Sequence, residues 1–184
     1  MVDTPPAFPV DVQADDEKEE TYCAAILGLA PAVLATDIFT IAGSGSQTIK
    51  ITRLSISGTS TGGTDSNVLL IRRSAANTGG TSTTPTTASM DTNNAAATAT
   101  LLQYSANPTA LGASAGNIRV EKFPVPVTAA ASGLANLTTI NWQFGDAVGQ
   151  PLVLRGATQL AAINLNGVTL AGASIDIYIE WTES

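Results

Sequence analysis

The end of this chain constrains its fold more than any other stretch. Residues 174–183, SIDIYIEWTE, alternate Ile175, Ile177, Ile179 and Trp181 with Asp176, Tyr178, Glu180 and Thr182. A period of two marks a half-buried β-strand: one large apolar side chain turns to the core at every second step, and two carboxylates, a phenol and a hydroxyl turn the other way. Such a strand needs neighbours in its own sheet and a second layer over its apolar face. The rest of the sequence is therefore expected to supply a sandwich.

It supplies short pieces. Residues 37–42 (DIFTIA), 68–71 (VLLI), 97–104 (ATATLLQY), 117–127 (NIRVEKFPVPV), 138–144 (TTINWQF), 151–154 and 160–165 (LAAINL) read as strands separated by Gly, Asn, Ser and Thr. Over 47–57 the apolar parity changes from Ile49 and Ile51 to Leu54 and Ile56, which requires an extra residue near Thr52 or Arg53, as a β-bulge or a corner between sheets. Pro124 and Pro126 cannot donate to a ladder, so their strand ends there or lies at an edge. Aromatic residues are 5% of the chain, and both Trp142 and Trp181 are expected in the core. Asn166-Gly167 signals a two-residue hairpin from which 168–170 return. Residues 74–94, Thr-rich and charged only at Asp91, show no period and read as a long surface loop. No amphipathic helix is evident. The predicted fold is all-β: a two-sheet antiparallel sandwich, jelly-roll-like, of eight or nine strands over residues 36–184.

Residues 1–35 are expected to stand apart as an extended acidic N-terminal arm followed by an apolar contact segment. The net charge of −7 is unevenly spread: residues 1–21 hold seven acids against Lys18, a balance of −6, and residues 22–184 hold eight acids against seven bases, a balance of −1. Prolines and a charge run favour extended backbone with little to bury. The apolar window 22–34 (YCAAILGLAPAVL) is broken by Gly28 and Pro31, is too short to span a bilayer, and follows an acidic run where a signal sequence has a basic one. It is expected to be an interior strand, a segment across the sandwich mouth, or a subunit contact. If this N-terminal region attaches the chain to a neighbour, the expected contacts are Asp15, Asp16, Glu17, Glu19 and Glu20 of the acidic run and Ile26, Leu27 and Leu29 of the apolar window.

The residue inventory narrows function. There is no histidine, the commonest general base and metal ligand, and Cys23 alone cannot form an internal disulfide. The acidic balance argues against binding phosphate backbones. GASAG at 112–116 matches the nucleophile elbow G-x-S-x-G, but no helix and no histidine stand ready for Ser114, so a small-residue turn is expected. Asp91-Thr92-Asn93 begins like a calcium loop and then fails at Ala95 and Ala96; an Asx-type turn is expected. The expectation is a protein that is not an enzyme, with no catalytic residues, cofactor or metal.

Several strings, TDIFTIAGSGSQTIKITRLSISGT at 36–59, LLIRRSAANTGGTSTTPT at 69–86, NNAAATATLLQYSANPTALG at 93–112, WQFGDAVGQPLVLRG at 142–156 and LAAINLNGVTLAGASIDIYIEWTE at 160–183, together resemble small β-rich virion proteins of tailed bacteriophages. The resemblance implies a virion structural protein made in the bacterial cytoplasm. It further implies a capsid decoration (cement) protein on the major capsid lattice, as a homo-oligomer with a trimer favoured, and no nucleic-acid or membrane partner. The alternative it leaves is a receptor- or glycan-binding module of a tail fibre or baseplate, with residues 74–94 and Trp142 or Trp181 as the contact. A solvent-facing Trp would favour that alternative.

Overall fold

The computed structural model describes residues 19–128, 138–145 and 149–184. Among these there are twelve strands and no helix: β1 (Glu20–Leu29), β2 (Asp37–Ala42), β3 (Ile49–Thr59), β4 (Thr64–Arg73), β5 (Thr81–Thr83), β6 (Thr87–Ser89), β7 (Thr100–Ala106), β8 (Ser114–Val125), β9 (Ile140–Gln143), β10 (Leu152–Leu154), β11 (Leu160–Asn164) and β12 (Ser174–Glu183). They form two antiparallel six-stranded sheets. One runs β10-β3-β12-β1-β6, with β9 also on β3, and the other runs β5-β7-β2-β11-β4-β8.

The strand order identifies the wrap. β9 pairs with Arg53 to Ile56 of β3 and β10 with Ile49 to Ile51, so the two share one lane. With β5, β6 and β7 set aside, eight lanes remain in chain order. The first sheet takes lanes one, eight, three and six, and the second takes two, seven, four and five. Successive lanes cross between sheets except where the fourth meets the fifth, which is the double Greek-key path of a jelly roll. The expected all-β sandwich is the observed one, with twelve strands against the expected eight or nine. The count reaches twelve because one lane is split and because residues 74–113 add three strands.

The closing strand lies between β1 and β3 at the centre of its sheet. Ile175, Ile177, Ile179 and Trp181 all face the core, and Trp181 stacks on Tyr22 with ring centroids 5.9 Å apart and planes at 24°. Glu180 lies opposite Arg53 and Trp181 opposite Ile51, so Thr52 is the extra residue that the parity change required. Its hydroxyl donates to the Glu180 carbonyl at 3.2 Å, using the freed position. β8, which carries Pro124, is an edge strand. Trp142 and Trp181 are both buried.

Three expectations are corrected. The sandwich does not begin at residue 36, because Glu20–Leu29 is a full strand paired with β12 on one side and β6 on the other. Gly28, at φ 66°, sits in a bulge between Ile26 and Leu29 that lets both turn inward. Residues 74–94 are not one loop: β5 pairs with β7 and β6 with β1. These two strands are three residues each and almost wholly exposed, so backbone pairing holds them where side-chain burial would have left a period. Finally, Asn166 and Gly167 adopt the positive φ values of a tight turn, 58° and 68°, yet residues 168–170 do not return along β11. Leu165 N and Gly167 N donate to Thr36 O and Ala35 O, and Leu170 N donates to Val33 O, so the chain crosses to the other sheet.

The two halves of β1 predict opposite fates for neighbours. Ile26→Ala is expected to cost about 2–5 kcal/mol, the range for emptying a core aliphatic site. Leu27→Ala, at an 89% exposed side chain, is expected to stay within about 0.5 kcal/mol. Urea unfolding of the two variants measures the difference.

Candidate functional site

Cross-strand partners share a face, so the register of β11 separates its side chains into two sets. Ala161 and Ile163 enter the core, whereas Leu160, Ala162 and Asn164 turn outward in line with Arg73, Ile71 and Leu69 of β4 and with Asp37 of β2. This outward face is not wet. Leu160, Ala162, Ile71 and Tyr104 are buried without belonging to the central core, and Asp37 is 0% exposed.

A buried carboxylate must be matched in charge and in hydrogen bonds. Asp37 takes Arg73 Nε on Oδ2 at 2.6 Å and Arg73 Nη2 on Oδ1 at 2.7 Å, a bidentate pair. Asn77 Nδ2 and Asn164 Nδ2 add donors at 2.8 and 2.7 Å. The network continues outward: Arg73 Nη1 donates to Gly112 O, Gly112 N donates to Asn77 Oδ1, and Asn166 N donates to Asn164 Oδ1. Three strands and both ends of the insertion between β4 and β8 are thereby fixed to one side chain. The sequence shows Arg72 and Arg73 only as the end of an apolar run; its one hint of this site is an acid opening the otherwise apolar DIFTIA.

A second carboxylate ties the insertion to the first sheet. Glu183, buried at the end of β12, accepts from Thr98 N (2.9 Å), the Thr98 hydroxyl (2.6 Å), Ala99 N (3.1 Å) and the Trp181 indole (2.9 Å). Beside it the Tyr22 hydroxyl is shared between Glu20 and the Ala95 carbonyl at 2.7 and 2.9 Å. Burial, then the hydrogen bond to Glu20 and the charges of Glu20 and Glu183, push the Tyr22 phenol up to about 12.

Among the described residues, the outward face of β1, β12 and β3 has no such cover. Thr21, Cys23 and Ala25 lie beside Thr182, Glu180 and Tyr178, and Ser55 and Ser57 follow on β3. These short side chains surround Tyr178, whose hydroxyl donates to Glu180 at 3.0 Å and whose ring lies 5.7 Å from the Arg53 guanidinium carbon. Burial, with the bond to Glu180 and its charge, pushes this phenol up to about 12 as well.

Of the expected contact residues, Asp15, Asp16 and Glu17 lie outside the described residues. Glu19 is exposed where β1 begins and bonds Lys50 and Thr182. Glu20 is half-buried and accepts from Tyr22. Ile26 and Leu29 belong to the core, so they are corrected from contact residues to structural ones, and Leu27 alone of the three meets solvent. Ser114 opens β8 and accepts from Gly116 N, with no helix following. Asp91 makes the expected Asx turn, its carboxylate accepting from Asn93 N at 2.9 Å. Among the described residues no group of three or more metal-ligating acidic or thiol side chains comes together.

Replacing Arg73 by Leu is expected to cost about 3–5 kcal/mol, since Asp37 is left buried without its cation; replacing both by Leu should restore part of that loss, as read from urea midpoints. The tyrosines predict an alkaline effect. An unfolded phenol ionises near 10, whereas Tyr22 and Tyr178 ionise near 12 in the fold. Between those values the unfolded chain holds fewer protons, so stability falls as pH rises from 10 to 12 and is unaffected by these groups below 10. Tyr22→Phe should flatten that fall in urea midpoints measured across the window.

Comparison of the chain with known protein families, curated proteins and solved structures finds no match.

Proposed function

We propose that the protein is a structural component of a tailed-phage virion, and more specifically a capsid decoration protein that binds the major capsid lattice. The observation that carries this reading is the eight-lane jelly-roll wrap, an architecture that recurs in viral capsid and lectin domains. The resemblance of its strand and turn strings to virion proteins supports the same reading. A decoration protein must stay soluble before assembly and then bind a repeating lattice many times over, so avidity offsets a weak individual contact. A compact sandwich preceded in sequence by an acidic N-terminal stretch suits that task. The lectin-like alternative, a tail-associated glycan-binding module, loses its proposed platform: Trp142 and Trp181 are 3% and 0% exposed, and sugar stacking needs an open aromatic face.

The test compares the full chain with one starting at Glu19 in binding to undecorated capsids at low and high salt. Attachment through residues 1–18 is expected to show as weaker binding of the truncated chain, and as a full-length complex that weakens with salt, because exposed charges are screened over about 8–10 Å near physiological ionic strength. Equal binding by a well-folded truncation moves the contact to the sandwich loops. Failure of both chains to bind capsids rejects the decoration reading.

A further inference from the structure

One pole of the sandwich carries no charge. The connections that meet there are 30–36 between β1 and β2, 60–63 between β3 and β4, 126–128 after β8, and 165–173 between β11 and β12; none contains Asp, Glu, Lys or Arg. Hydrogen bonds join them in series. Leu170 N donates to Val33 O at 2.7 Å, Thr61 N to Ala171 O at 3.0 Å, Ser60 N to Pro126 O at 2.9 Å and Thr128 N to Ser60 O at 3.0 Å. The described part of this end is therefore one surface. Four of the seven large apolar side chains exposed among the described residues lie on it or beside it: Leu27 at 89%, Val33 at 54%, Leu34 at 57% and Val127 at 47%. Asp65 and Asp176 stand at its rim on β4 and β12, with Asp176 held by Gly28 N at 2.7 Å, and Asp37, next to Thr36, is fully buried and neutralised by Arg73.

We propose that this pole is a self-association surface, occupied by the same pole of a second copy of the chain. Charge distribution selects the occupant and its orientation. A charged partner surface would have to bury its charges against a region with nothing to pair them, at several kcal/mol for each ion. A second copy presents an equally uncharged, apolar surface, the composition of an interface core. The acidic excess belongs to residues 1–21, a balance of −6, and the described end of that stretch, Glu19 and Glu20, enters β1 at the opposite pole, where Glu19 meets Lys50 and Thr182. Copies that meet by their uncharged poles keep Glu19 and Glu20 at the two far ends of the pair, whereas contact through the far poles sets these carboxylates against each other. The inference concerns the chain in solution and stands whether or not the protein decorates a capsid.

Sedimentation equilibrium of the purified full chain over a micromolar range tests it. The expected result is a concentration-dependent oligomer that added salt does not weaken. The pair Leu27→Asp and Leu34→Asp should raise its dissociation constant by about tenfold or more. Val120→Asp, equally exposed on β8 but away from this pole, should leave it unchanged. Both targets are solvent-facing; should the charged pair unfold the chain, Leu27→Ser with Leu34→Ser gives the same reading more gently. A monomer at every concentration, or an oligomer that the polar substitutions do not loosen, overturns the proposal. A monomer whose binding to capsids is lost on Leu34→Asp also overturns it and assigns the surface to the lattice.

Discussion

A carboxylate that no water reaches sets the terms for half of this sandwich. Asp37 is fully buried on the outward face of the second sheet and takes four donors from three side chains. Such a network adds little net stability when complete, but each missing partner leaves a buried charge or dipole that costs several kcal/mol. Residues 74–77 and Gly112 must therefore stay over this face, and the outward layer of Leu160, Ala162 and Ile71 stays dry with them. Their fit is close: a Cβ at Gly112 would lie 1.8 Å from the Ala75 carbonyl oxygen, so no other residue can stand there without moving that backbone.

The same insertion reaches the first sheet by a different device. Glu183 satisfies the backbone of Thr98 and Ala99, while β6 extends the ladder of β1 and β5 and β7 extend that of β2. The insertion thus laps both sheets along one side of the jelly roll. In a chain with one cysteine, two buried carboxylates do the stapling that disulfides do elsewhere, Asp37 on both ends of the insertion and Glu183 on its interior at Thr98 and Ala99. The opposite side is closed by β8 and β9, where the Arg119 guanidinium carbon lies 5.1 Å from the Phe144 ring and the Trp142 indole donates to Glu121.

The legible parts of the fold are those whose burial repeats. Alternation in residues 174–183 places the central strand, and the parity change at 49–56 locates the Thr52 bulge, because a period of two fails visibly when one residue is added. β1 was less clear: Gly28 breaks its period, and an apolar window after an acidic run reads equally as contact or core. β5 and β6 are too short to show any period. The polar knot is least legible, since Asp37 and Arg73 are 36 residues apart and nothing local relates them. Two asparagines complete the site, and each also reads as ordinary turn chemistry. Of the contact residues named from sequence, burial removes Ile26 and Leu29 and leaves Leu27.

Charge connects the sandwich to the segment that precedes it. A body with a balance of −1 and an apolar, uncharged pole has little to keep its copies from associating in any orientation, because near-neutral surfaces associate readily. The excess of −6 in the first 21 residues supplies repulsion, and its described part, Glu19 and Glu20, stands at the pole opposite the apolar one. Repulsion placed opposite an apolar surface permits contact at that surface and disfavours contact elsewhere, so it acts on orientation as well as solubility. A uniformly acidic body of the same net charge would be soluble too, yet it would carry its charges onto the pole and lose the distinction between its two ends.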